Sequence, residues 1–222
     1  MEYSESKVKS LAVDVHYQQH RYIYRTFKRV FDITASLIAL ILLSPVFLIV
    51  AAAIKIDDPE GPVFYSQIRL GKRQKAFRMY KFRSMVVDAD KRLKKLLKHS
   101  DVDGAMFKMK EDPRVTPVGR FIRKYSVDEL PQLVNVLLGQ MSLVGPRPPL
   151  PREVATYTPF DKQRLMVKPG CTGLWQVTIR NDASFEQMVR LDLSYIDRRG
   201  FWFDVYVLVR TIGVFFKPNG AY

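Results

Sequence analysis

Asp128 and Glu129 are adjacent carboxylates in a segment rich in cations, RFIRKYSVDELPQ (120–132). Pro131 is tolerated only in the first turn of a helix, so both carboxylates are expected at a helix start, with Ser126 or Asp128 as the N-cap. The positive end of the helix dipole should keep both ionised. Such a pair suits phosphoryl transfer, in which one carboxylate attacks phosphorus and the other holds Mg²⁺ or handles a proton. A second interpretation stays open, because acidic residues begin many helices simply by stabilising them.

Further cations could face the same anion. Arg147 lies between prolines in GPRPP (145–149), where its guanidinium loses little freedom on binding a phosphate. The other interpretation is a rigid surface turn with an incidental arginine. Lys81 and Arg83 end a predicted strand and could point at the same anion. Arg123 adds positive charge upstream of the two carboxylates.

Several familiar sites are missing from the sequence. It has no G-x-x-x-x-G-K-[ST] loop, no G-x-G-x-x-G turn and no G-x-S-x-G elbow. Cys171 is the single cysteine, which excludes an internal disulfide and fits a reducing compartment. With one cysteine and three scattered histidines, a zinc site is improbable, and a hard cation held by oxygen, Mg²⁺, is expected instead.

The chain is strongly basic. Its 222 residues carry 36 Lys and Arg against 22 Asp and Glu, a formal charge of +14. Such an excess attracts nucleic acid, phospholipid head groups or phosphorylated substrates, and charge alone does not choose among them.

An uncharged apolar run covers residues 33–54. As a helix of about 22 residues it would be roughly 33 Å long, enough to cross a hydrocarbon core, although a buried helix of a soluble core passes the same test. Lys and Arg are abundant on both flanks, and the positive-inside tendency would place both flanks in the cytoplasm. Ser44 and Pro45 can break the helix mid-run. The combination favours a re-entrant helix, although proline also occurs in kinked helices that span.

The remaining pattern predicts an α+β fold, mainly helical, with a small β-hairpin and interfacial amphipathic helices. Three parts are expected: an N-terminal tail or interfacial lead-in (1–27), the re-entrant membrane helix (28–56) and a cytoplasmic catalytic domain (57–222). The hairpin is predicted from two aromatic and branched segments, 63–69 and 76–85. Helices are predicted over 89–98, 113–125, 128–138, 184–198 and 201–216, a strand begins the segment 141–151, and 168–177 is predicted to be a loop.

Taken together, these segments resemble the monotopic phosphoglycosyl transferases, the bacterial sugar transferase family, over about residues 26–222. The resemblance rests on ordered motifs: KRVFD, Ser44-Pro45, GPVFYSQIRLGK, YKFRSM, DPRVTPVGRFIRKYSVDELPQLVNVL, SLVGPRPP, KPGCTGLWQV and a terminal GAY. It is strongest toward enzymes that prime exopolysaccharide or capsule synthesis.

The resemblance implies a membrane-bound enzyme that transfers a hexose-1-phosphate, galactose or glucose, from a UDP-sugar to undecaprenyl phosphate and releases UMP. By analogy Asp128 is the nucleophile that forms an aspartyl phosphosugar, and Glu129 assists with Mg²⁺ or a proton. The implied phosphate- and substrate-binding residues are Lys81, Arg83, Arg123, Gln132, Arg147 and Arg180. The implied setting is the cytoplasmic leaflet of the cell membrane, without nucleic acid, and a homo-oligomer is compatible with it.

The sequence departs from the family pattern in two places. Larger relatives carry an N-terminal bundle of membrane helices that this sequence lacks. Thr178-Ile179 stands where relatives read Ser-Gly, and isoleucine does not tolerate the positive φ that glycine allows, which predicts a reshaped loop. Two other classes remain as alternatives: a membrane-anchored anion-binding or nucleic-acid-binding protein, and a bitopic membrane scaffold with a basic domain.

Overall fold

The computed structural model describes residues 13–96, 109, 112–179 and 184–216. It is mainly helical with a small antiparallel hairpin, as predicted. Arg180, the last two residues of the basic segment 89–98 and the terminal GAY lie outside the described residues.

The apolar run forms two helices rather than one. After a short helix, α1 (Val15–His20), α2 (Tyr22–Leu42) and α3 (Ser44–Asp57) meet at a bend of 59°. Pro45 lies in the first turn of α3, and the Ser44 hydroxyl donates to the Ile41 carbonyl at 2.8 Å. The predicted break at Ser44-Pro45 is therefore confirmed, and it satisfies a carbonyl that the proline leaves without its helical donor.

The fully buried residues of α2 are polar, whereas many apolar side chains of α2 and α3 are exposed. The buried residues of α2 are Asp32 and Ser36, whereas Ile41 is 64% and Leu48 of α3 is 73% exposed. No single helix among the described residues has the length and hydropathy to cross a membrane; α2 and α3 reach those limits only as a pair. A large exposed apolar surface of this kind marks contact with a lipid or protein partner.

The hairpin pairs β1 (Phe64–Leu70) with β2 (Ala76–Phe82) in antiparallel register, with Tyr65 opposite Lys81. Phe64 and Phe82 stack at 5.3 Å between ring centroids, and Phe47 of α3 packs on Phe82 at 5.0 Å. The predicted hairpin is thus confirmed, and the end opposite its loop packs against α3.

Residues 113–138 form more elements than the sequence predicted. α5 (Pro117–Lys124) is followed by a 3-10 turn over Val127–Glu129 and then by α6 (Gln132–Leu137). The prediction that Ser126 or Asp128 caps the helix is wrong, because Pro131 holds the N-cap position of α6 and neither turn shows a side-chain cap. The separate turn closes its own hydrogen bonds, Glu129 N to Ser126 O and Leu130 N to Val127 O.

The segment 168–177 is not a loop, contrary to the prediction. β3 (Ser142–Val144) pairs in parallel with β4 (Gly170–Thr172), and α9 (Leu174–Thr178) follows at once. A Cβ on Gly170 would lie 2.1 Å from the Gly145 nitrogen, so the two backbones approach more closely than any side chain allows. The two glycines permit this tight pairing.

The remaining helices enclose the core. α4 (Ala89–Leu96) follows the hairpin, and α7 (Pro151–Val154) and α8 (Pro159–Lys162) precede β4. α10 (Phe185–Arg198) begins with a capping box at Ser184, and α11 (Phe201–Phe216) ends the described chain. The main core includes Val136, Met141, Leu193, Ile196 and Val207. The predicted helices over 184–198 and 201–216 are confirmed.

Candidate active site

The two carboxylates lie on the 3-10 turn between α5 and α6. Ser126 before them adopts a left-handed conformation, φ 53°, which turns the chain sharply. Val127 and Leu130 on either side pack into the small core around Phe82 and Ile54. The turn is therefore held between the hairpin, α5 and the inner face of α3.

Lys81, the penultimate residue of β2, reaches both carboxylates. Its Nζ donates to Glu129 Oε1 at 2.6 Å and lies 3.6 Å from Asp128 Oδ2. The Asp128 side chain is only 9% exposed, whereas that of Glu129 is 36% exposed. The structure thus brings three of the predicted site residues together, with the aspartate as the inner carboxylate.

Burial and nearby charges shift the pKa values of Asp128 and Glu129 in opposite directions. Burial raises the pKa of Asp128 to about 6, with Lys81 opposing the rise and Glu129 adding to it. Burial acts on Glu129 in the same direction, but Lys81, Arg147 and Arg69 outweigh it and lower the Glu129 pKa. The predicted ionisation of both groups at neutral pH is compatible with these values. Its physical source is Lys81 and the arginines rather than a helix N-terminus.

Asn135 fixes α6 against the strand that carries Lys81. Its Oδ1 accepts from Tyr80 N at 2.9 Å, and its Nδ2 donates to Arg78 O at 2.7 Å and to Gln140 Oε1 at 2.6 Å. The side chain is completely buried. Sequence reasoning missed this residue, although a lone asparagine within the apolar run QLVNVL was a signal for a buried polar contact.

Arg147 lies on the loop after β3, half-buried. Its Nη1 is 3.5 Å from Glu153 Oε2, a distance at the edge of hydrogen bonding. Glu153 is itself buried and accepts a stronger bond from Leu150 N at 2.8 Å. The guanidinium therefore keeps most of its donor capacity for another partner.

Arg69 of β1 is a second residue that the sequence did not single out as a candidate. It is buried, donating from Nη1 to Pro148 O at 3.1 Å and from Nη2 to Gln67 Oε1 at 2.8 Å. Leu70 N also donates to Pro149 O at 3.0 Å, so the end of β1 holds the loop that carries Arg147. The alternation of Tyr65, Gln67 and Arg69 along β1 was the available signal, since these positions share a strand face with Lys81.

The other predicted site residues are distributed around this centre. Arg123 on α5 contributes positive charge at Asp128, and Gln132 is buried at the start of α6. Arg83 forms an ion pair with Asp58 at 2.5 Å and a bond to the Asp58 carbonyl at 2.7 Å. Arg180 lies outside the described residues, and Ile179 before it ends α9 with a negative φ of −98°.

Buried polar contacts join α2 to the rest of the structure. Arg29 donates to the carbonyls of Val136 and Leu137 at the end of α6, at 2.6 and 2.8 Å. Asp204 of α11 accepts from Tyr24, Lys28 and Tyr195, at 2.7, 2.9 and 2.6 Å. These contacts fix the apolar helix pair relative to the helix that follows the carboxylates.

A hard metal ion bound at Asp128 and Glu129 would need further oxygen ligands from a substrate or water. Among the described residues, no group of three or more His, Cys, Asp and Glu side chains could hold a metal ion. Mg²⁺, however, commonly binds through one or two carboxylates together with substrate phosphates and water. Asp128 and Glu129 provide such a pair of oxygen ligands.

The chain is similar in sequence to known proteins over most of its length. The family model for bacterial sugar transferase matches residues 23–218. The galactosyl transferase CpsE of Streptococcus agalactiae is 44% identical over 91% of this chain and 45% of its own length. The undecaprenyl-phosphate galactose phosphotransferase of Salmonella typhimurium is 46% identical, over 89% and 42%. The exopolysaccharide production protein ExoY of Rhizobium meliloti is 39% identical, over 88% of both chains.

The extent of these matches differs between relatives. The chain spans less than half the length of the first two, but almost all of the third. The family model covers the bent helix pair, the hairpin, the carboxylate turn and α11 alike. The chain therefore belongs to the bacterial sugar transferase family.

Proposed function

We propose that this protein transfers a hexose-1-phosphate, galactose or glucose, from a UDP-sugar to undecaprenyl phosphate and releases UMP. The reaction would begin exopolysaccharide or capsule synthesis at the cytoplasmic leaflet of the cell membrane. Names of relatives support the acceptor and the sugar, since one is an undecaprenyl-phosphate galactose phosphotransferase and another an undecaprenyl-phosphate glucose phosphotransferase.

The observation that carries the proposal is the inner carboxylate. Asp128 is buried beside Lys81, yet the 3.6 Å separation from Nζ exceeds an ordinary charge-assisted hydrogen bond. A carboxylate in this state is ionised at neutral pH and only weakly engaged, which suits a nucleophile. Lys81 and Arg123 can meanwhile neutralise phosphate oxygens as they approach.

The chemistry divides into two displacements at one phosphorus. In the first, an Asp128 oxygen bonds to the sugar-bearing phosphorus, and the bond from that phosphorus to the bridging oxygen breaks. UMP departs with the electron pair on that oxygen. In the second, an oxygen of undecaprenyl phosphate bonds to the same phosphorus, and the bond to Asp128 breaks and restores the carboxylate.

Glu129 and Asp128 would hold Mg²⁺ together with phosphate oxygens of the substrate. When bound, the ion supplies positive charge that stabilises the developing charge on phosphate oxygens. Lys81 and Arg147 supply the protein's own positive charge toward Glu129.

The bent pair α2–α3 would enter and leave the membrane on one face. The exposed apolar side chains of both helices and the basic residues on both flanks support this arrangement. α11, with Trp202 80% exposed, would lie in the interface beside it. Labelling residues 1–20 with a membrane-impermeant reagent tests the topology, because modification from outside intact cells would exclude the re-entrant arrangement.

The reaction is tested by supplying UDP-sugars, Mg²⁺ and undecaprenyl phosphate and following UMP release. We expect release with UDP-galactose or UDP-glucose, and its loss in Asp128→Asn. Release that survives this substitution would refute Asp128 as the nucleophile. The absence of release with any UDP-hexose or UDP-N-acetylhexosamine would refute the reaction itself.

A further inference from the structure

Arg69 is a buried cation that has no carboxylate ion-pair partner within the part of the chain that the structure describes. Its residue exposure is 8%, and among the described residues it forms no ion pair with a carboxylate. Its Nε is buried and has no hydrogen-bond partner there. Holding a charge out of water in this way is costly unless an opposite charge compensates it.

The neighbouring Arg147 adds a second positive charge near Arg69. Arg147 lies close enough that, after burial, it is the largest influence lowering the pKa of Arg69, to about 10. The carbonyl of Pro148, next to Arg147 in sequence, accepts from Arg69 Nη1 at 3.1 Å. Arg147 thus adds positive charge beside Arg69. Glu153, 3.5 Å from Arg147, and Glu129 offset part of this charge, but neither forms an ion pair with Arg69 among the described residues.

Arg69 lies toward the loop end of the strand face that carries Lys81 near its other end. Tyr65 pairs with Lys81, and Arg69 follows four residues later on the same face of β1, about 13 Å along a strand. Lys81 therefore contacts both carboxylates, whereas Arg69 and Arg147 add positive charge toward Glu129 from a second position.

We propose that Arg69 and Arg147 form a binding subsite for a phosphate monoester group. This phosphate is a different one from the sugar-bearing phosphoryl group that becomes bonded to Asp128. This deepens the proposed function and rests on it for the identity of the ligand. Two participants in that reaction carry the required chemistry: UMP, which leaves in the first displacement, and undecaprenyl phosphate, which enters in the second. Because both reach the same phosphorus opposite Asp128, one subsite can serve them in turn.

The test measures UMP binding by titration calorimetry and the KM for undecaprenyl phosphate, using the full chain in membrane mimetic. Arg69→Gln is expected to weaken UMP binding about tenfold or more, as for loss of a charge-assisted hydrogen bond, and to raise the lipid KM similarly. Arg78→Gln is the matched control, an exposed arginine on the opposite face of the same hairpin, and should change neither. A change for only one ligand identifies it as the occupant, and no change for either overturns the proposal.

A purely positional role for Arg69 predicts a different pattern. If Arg69 only holds the loop of Arg147, then Arg69→Gln in an Arg147→Gln background has no further effect on UMP binding, and that result overturns the proposal. A phosphate-binding role predicts a further loss of about threefold or more. Uridine lacks the phosphate, so its affinity, measured by competition, should be the same with and without Arg69→Gln in both backgrounds.

Folding and reaction are separated from the subsite by two further measurements. Arg69→Lys keeps the charge without the planar fork, so it should fold where Arg69→Gln does not and still weaken UMP binding. A wild-type chain that binds UMP in an Arg69-dependent manner but releases none from UDP-sugars would refute the proposed reaction and support the phosphate subsite.

Discussion

Two buried carboxylates in this protein, Asp204 and Asp128, each lie beside a lysine but differ greatly in how many hydrogen bonds they accept. Asp204 accepts three short hydrogen bonds, from Tyr24, Lys28 and Tyr195, and ties α2 to α10 and α11. Asp128 has Lys81 at 3.6 Å, and that lysine bonds more closely to Glu129.

This difference indicates a structural role for Asp204 and a reactive role for Asp128. A buried carboxylate with a full set of donors is held in one geometry, and its removal leaves those donors without a partner. A buried carboxylate with a long contact has unused acceptor capacity, which a phosphorus centre or a metal ion can use. Substitution of Asp128 should therefore lower the rate of reaction and leave stability unchanged, whereas substitution of Asp204 should lower stability.

Asp128→Asn is expected to have the largest effect, lowering the rate of UMP release by about 1000-fold or more because the nucleophile is lost. The free energy of unfolding should stay within about 1 kcal/mol of wild type, since few contacts are removed. UMP release and thermal unfolding on the same preparation check both parts. Retained release would contradict the assignment.

Asp204→Ala should do the reverse. We expect a loss of about 3 kcal/mol in the free energy of unfolding, because Lys28 and two tyrosine hydroxyls lose their common acceptor. Asp88→Ala, which breaks the exposed pair with Arg92, is the control and should cost less than about 1 kcal/mol. Denaturant titration in detergent measures both. A stable Asp204→Ala protein would show that the network does not hold α2.

Lys81→Met should change the pH dependence of UMP release. Burial places the pKa of Asp128 at about 6, and Lys81 opposes a further rise. In wild type, release should therefore fall as the pH drops through about 6 and the carboxylate takes up a proton. Without Lys81 this midpoint should move to higher pH, together with a loss of about 10- to 100-fold at neutral pH. An unmoved midpoint would contradict the role of Lys81.

Asn135→Ala should have the smallest effect on the reaction. It removes three hydrogen bonds between α6 and the rest of the fold, so we expect a loss of about 2 kcal/mol in stability and about tenfold in UMP release. The pH midpoint should not move, because no charge is lost. A pH profile of the variant checks this, and a shifted midpoint would place Asn135 in the electrostatics of the site.

Local chemistry was enough to predict the break at Ser44-Pro45, the hairpin and the helix from Ser184. Proline geometry, strand-forming residues and a capping serine act within a few residues of themselves, so the sequence by itself determined these elements. The adjacency of Asp128 and Glu129 and the order of the motifs were likewise readable without a structure.

Tertiary packing decided what those residues do. The second strand of the parallel pair, predicted as a loop, exists because Gly145 and Gly170 permit close backbone approach. Neither Ser126 nor Asp128 caps α6, because Pro131 holds its N-cap position and the carboxylates lie on a separate turn before it. Residues of β1, β2 and the 3-10 turn have to meet before Asp128 lies inside, contacts Lys81 and has the buried Arg69 nearby on the same strand face as Lys81. Burial and long-range electrostatics, which set these properties, are not functions of sequence spacing.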